Sequence, residues 1–154
     1  MKSPPRHWPY LLLGVAVFGI CVAAWRPVPA GVWHDDGVYM LVGKALAGGH
    51  GFVYDGVAGS PPAAKFPPAY PVFLSFLWTL VGEIGQVTCA ATILNLLFLG
   101  AAGAFFARAL HEGAGGPLWP SLIAAAIGFT ATDLIRTALV PLSEPAFLLL
   151  WSAS

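Results

Sequence analysis

Residues Ile84–Ala107, IGQVTCAATILNLLFLGAAGAFFA, run for twenty-four positions without a formal charge. As a helix it extends about 36 Å, more than a hydrocarbon core of about 30 Å. Gly100, Gly103, Ala104 and Ala107 place small residues three and four apart, which suits close packing against another helix. The composition agrees with a membrane span. Only 9% of the 154 residues are charged and 58% are hydrophobic, where a soluble domain carries about 25% charged residues. Seven basic residues balance seven acidic ones. These values exclude a disordered segment, a basic nucleic-acid binder and an ordinary cytosolic enzyme. Cys21 and Cys89 both stand in apolar runs and read as small buried hydrophobes rather than a disulfide.

Upstream, nineteen uncharged residues separate Arg6 from Arg26. Trp8, Tyr10 and Trp25 mark the ends of this run, where aromatic belts belong. It reads as a first span at about 8–25. A signal peptide is the rival reading, with Lys2 and Arg6 as its basic start and Val28-Pro29-Ala30 as a small-residue cleavage site. Downstream, 118–140 forms a further span, with Asp133 and Arg136 near its far end. A fresh apolar run at 145–154 is too short to cross. The chain therefore reads as the N-terminal part of a larger multi-spanning protein, an all-α helical bundle in one membrane domain.

Between the first two spans lies a polar outer loop, 26–83. Within it Val38, Leu41, Val42, Ala45 and Leu46 form an apolar stripe at helical spacing, with Asp35 and Asp36 at its start and Gly48-Gly49 at its end. The helix is too short and polar to span, so it lies along the membrane surface. Pro67, Pro68 and Pro71 leave only Val72–Val81 free for a second interfacial or re-entrant helix. Lys2 and Arg6 favour a cytoplasmic N-terminus and an outer first loop. That topology carries Asp35, Asp36, Lys65, Arg136 and Glu144 to the outer face. Each has an ordinary reading: helix start for Asp35 and Asp36, snorkelling for Lys65, an ion pair for Asp133 and Arg136, a first-turn acid for Glu144. His34 and His50 read as ordinary loop residues.

Taken together, these residues resemble a known family. His34-Asp35-Asp36-Gly37-Val38-Tyr39, Gly48-Gly49-His50-Gly51-Phe52, Lys65-Phe66-Pro67-Pro68-Ala69-Tyr70-Pro71 and Ser143-Glu144-Pro145 occur in this order along nearly the whole chain. The set resembles the C-type (GT-C) glycosyltransferases, in the branch of protein O-mannosyltransferases and lipid A aminoarabinose transferases. The resemblance implies a sugar transferase of a bacterial inner membrane, acting on its outer face. Its partners would be the bilayer, a polyprenyl-phosphate-linked sugar donor and a glycan, lipid or protein acceptor, with no nucleic acid. It implies catalytic roles for Asp35, as base, and Asp36, where the family usually has glutamate. It further implies substrate-binding roles for Lys65, Glu144, Arg136, Tyr39 and Tyr70, and inversion at the sugar.

The chemistry suits these residue types. An attacking hydroxyl needs a carboxylate to take its proton, and a leaving lipid phosphate is stabilised by a cation. No cofactor or metal site is assigned, although Asp35, Asp36 and Glu144 offer the oxygen ligands that a divalent cation takes. Two other classes fit the composition. A transporter or channel subunit would use Asp133 and Arg136 inside the membrane. A non-catalytic small membrane protein would need no acidic pair beside Lys65.

Overall fold

The structure is a computed structural model that describes residues 7–27, 29–33 and 35–154. Lys2, Arg6, Val28 and His34, which entered the readings of topology, cleavage and the first motif, lie outside the described residues. Those that are described form helices, with one isolated antiparallel bridge between Val53 and Pro62. The helices are α1 (Trp8–Ala24), α2 (Asp35–Ala47), α3 (Ala69–Val81), α4 (Ile84–Arg108), α5 (Leu118–Phe129), α6 (Thr132–Ala138) and α7 (Glu144–Ala153).

Helix α4 matches the uncharged stretch almost residue for residue. A π-helical turn at Ala109–Gly113 prolongs it. Among the described residues this continuous helix, Ile84–Gly113, is the one long and apolar enough to cross a membrane. Helix α1 is apolar but has 17 residues, short of the usual 20 or so. The expected span at 118–140 is not one straight helix, since α5 and α6 meet at 61°. The break has a local cause. The Thr130 amide and hydroxyl both donate to the Ala126 carbonyl, at 3.0 and 2.6 Å. The Ala131 amide then turns to Gly128 at 3.3 Å, so the i→i−4 ladder stops. Asp133 lies in the first turn of the new helix, where an acid favours the dipole.

The chain divides into two compact units. One comprises Met1–Trp25, Leu96–Ala138 and Glu144–Ser154. Its helices approach closely where side chains are smallest. A Cβ on Gly100 would stand 2.6 Å from the Gly14 carbonyl oxygen, so α1 and α4 meet through bare backbone. This is the packing that the small-residue spacing predicts. Tyr10, Ala107, Leu122 and Ala125 form a core cluster beside it. Tyr10, at the N-terminal end of the expected first span, is thus buried and reaches Glu112 at 3.4 Å. Arg108 closes the end of α4 by donating to Glu112 at 2.7 Å. Cys21 is buried, but Cys89, in the other unit, is exposed, and both are free thiols.

The second unit comprises Arg26–Asn95 and Leu139–Ser143. Its frame is the α2–α3 pair. A Cβ on Gly43 would lie 2.9 Å from Leu74 Cβ, which brings the two helices into close contact. That approach rotates α2 from the expected stripe. Tyr39, Met40, Val42, Gly43 and Ala45 are buried, while Leu41 faces outward. Helix α3 begins at Ala69 rather than at Val72. Pro71 falls in its first turn, where a missing N–H costs no intrahelical bond. It stops at Gly82, whose φ of 76° lets its amide return to the Trp78 carbonyl at 3.0 Å.

Candidate functional site

The two adjacent acids at the start of α2 point to different environments. Asp36 is fully buried. Its Oδ2 accepts the Gly31 amide at 2.8 Å and its Oδ1 accepts the Trp33 amide at 3.0 Å. An N-cap would instead accept amides from residues that follow it. Asp36 therefore reaches backward and clasps the preceding turn. Asp35 is exposed as the first residue of α2, and its side chain accepts no hydrogen bond among the described residues. One carboxylate is thus committed to the fold and the other is open to solvent.

One turn further on, Tyr39 joins segments far apart in sequence. Its ring meets Phe66 edge-on with centroids 5.4 Å apart, and Tyr70 edge-on at 5.3 Å. Its hydroxyl lies 3.3 Å from Ser143 Oγ. Three of the four sequence motifs therefore converge on one buried ring. Lys65 adjoins this cluster, with Nζ 5.3 Å above the Phe66 ring. It is exposed, and no carboxylate pairs with it among the described residues. Glu144 follows Ser143 directly and is exposed as the first residue of α7. Tyr39 and Tyr70 are themselves buried, so they form the floor of the cluster rather than its surface.

A polar tie beneath the aromatics is not singled out by the sequence reading. Asn95 of α4 is fully buried. Its Oδ1 accepts the Tyr70 hydroxyl at 3.2 Å, and its Nδ2 donates to the carbonyls of Val140 at 2.8 Å and Leu142 at 3.0 Å. This amide pins the 139–143 segment, and hence Ser143, against α3 and α4. The signal was an asparagine in the middle of an apolar span, where an amide needs partners.

Other candidates stand apart in chemistry. Arg136 pairs with Asp133 within α6 at 3.7 Å, and both side chains are exposed. This is the i,i+3 pair expected of them. His50 Nδ1 pairs with Asp55 Oδ2 at 3.0 Å and braces the Val53–Pro62 turn region. Among the described residues no three His, Cys, Asp or Glu side chains gather closely enough to hold a metal ion. Both Asp36 oxygens already accept backbone amides. No protein-family model, curated protein or solved structure matches the chain.

Proposed function

We propose that the protein is a membrane glycosyltransferase that moves a sugar from a polyprenyl-phosphate-linked donor to an acceptor hydroxyl, with Asp35 as general base. The observation that carries the reading is the convergence on Tyr39, where the segments holding Asp35, Lys65 and Ser143 share one buried cluster. The cluster ties the helix that starts with the exposed Asp35 carboxylate to the segment that carries the exposed Lys65 ammonium. Proton removal and leaving-phosphate stabilisation need that pair of groups. Asp36 supports the reaction by fixing the turn before α2, and Asp35 is left to take the proton. Lys65 neutralises the lipid phosphate as it departs.

The membrane setting is part of the same proposal. Helices α1, α4 and the bent α5–α6 pair would cross the bilayer, with α2 and α3 at the outer interface. Large apolar side chains such as Leu11, Val15, Trp119, Ile123, Ile127 and Leu150 are exposed, which suits helices bathed in lipid.

The test is Asp35→Asn in membranes carrying the full-length protein, assayed for sugar transfer from a polyprenyl phosphosugar. General-base catalysis contributes roughly 10²–10⁴-fold, so transfer should fall by at least two orders of magnitude while donor binding persists. Wild-type turnover in this variant would remove Asp35 from the role.

A further inference from the structure

A groove of 480 Å³ lies in the second unit, between α2 and the α3–α4 corner. Met40, Leu41, Trp78 and Ile84 supply its apolar lining, and Lys44 supplies the one charge among the described residues. Trp78 is held in place because its indole N–H donates to the Met40 carbonyl at 3.0 Å. Lys44 Nζ sits 5.5 Å from the centre of that indole. No carboxylate pairs with Lys44 among the described residues. Leu41 and Ile84 are exposed, so the groove opens at the N-terminal end of α4, the helix of spanning length.

We infer that this groove holds an anionic phospholipid of the surrounding bilayer, with its phosphate at Lys44 and the start of an acyl chain along Leu41, Trp78 and Ile84. The charge matches, because one unpaired ammonium faces the single negative charge of a phosphodiester. The lining also separates this occupant from the sugar donor. Among the described residues Lys44 and the indole are the only polar side chains that line it, with no carboxylate, amide or hydroxyl side chain beside them to hold sugar hydroxyls. The site is distinct from Asp35 and Lys65, neither of which lines it, and it rests on the membrane reading above. A bound lipid here would anchor the α2–α3 pair to the interface.

The experiment has two stages. A carbonate wash first tests whether the full-length chain remains in the membrane; release into the aqueous phase overturns the membrane reading and this inference together. The retained protein is then purified in mild detergent, its helix content is verified by circular dichroism, and native mass spectrometry counts bound phosphatidylglycerol against phosphatidylcholine. Wild type and Lys44→Arg should prefer phosphatidylglycerol. Lys44→Gln should lower that preference about fivefold, the worth of one lysine charge near an anionic lipid surface. An unchanged preference in Lys44→Gln overturns the inference and leaves the membrane reading intact. Displacement of phosphatidylglycerol from wild type by a short-chain polyprenyl phosphosugar also overturns it, by making the groove a donor site.

Discussion

Replacing Asp36 with asparagine exchanges one carboxylate oxygen for an NH2 group at a fully buried position. In the native side chain each oxygen accepts one backbone amide, from Gly31 at 2.8 Å and Trp33 at 3.0 Å. Asparagine can satisfy only one of them, and its NH2 must then face the other N–H, donor against donor. The loss is one charge-assisted bond plus a buried amide without a partner, about 1.5–3 kcal/mol. Asp35→Asn meets neither penalty, because that side chain is exposed and accepts no hydrogen bond among the described residues, so its stability should stay within about 0.5 kcal/mol of wild type. Detergent-denaturation curves followed by circular dichroism measure both variants. Sugar-transfer rates complete the comparison. Asp36→Asn should lose activity in step with its folded fraction, whereas Asp35→Asn should lose it while folded. A stable Asp36→Asn beside an unfolded Asp35→Asn would refute the division of labour between the two acids.

Asn95→Ala should cost about 3 kcal/mol or more, since the Tyr70 hydroxyl and the carbonyls of Val140 and Leu142 all lose their partner; the same denaturation assay checks it. Gly100→Ala should destabilise by about 1–3 kcal/mol, because its Cβ would press on the Gly14 backbone at 2.6 Å and backbone cannot turn aside as a side chain does. Lys65→Ala should weaken binding of a polyprenyl phosphosugar while Lys65→Arg partly preserves it, as measured by titration; equal affinity in Lys65→Ala would leave that lysine with its packing on Phe66 alone. Single cysteines at Gly59 and Gly115, in a background lacking Cys21 and Cys89, should be labelled by an impermeant maleimide from outside at Gly59 only, and the reverse pattern would invert the proposed topology.

Much of the helical framework was legible in the sequence because it follows from local chemistry. The uncharged run Ile84–Ala107, the acid at the start of α7, the stop at Gly82 and the Gly100 stripe each depend on residues close in the chain, where periodicity and backbone limits act directly. The rest depended on which groups meet once the chain has folded, several of them far apart in sequence and others hidden from hydropathy. The face that α2 buries was set by how closely Gly43 lets α3 approach, so Tyr39 and Met40 turned inward and Leu41 outward. Thr130 ended α5 locally, where its hydroxyl joins its own amide on the Ala126 carbonyl, and hydropathy does not register that bond. The two aspartates are one residue apart and chemically alike. Their different fates came from the return of Gly31 and Trp33 over α2, which buries one carboxylate and leaves the other in solvent. The meeting of Phe66, Tyr70 and Ser143 on Tyr39 likewise required the chain to fold back across more than a hundred residues, and no local spacing encodes that contact.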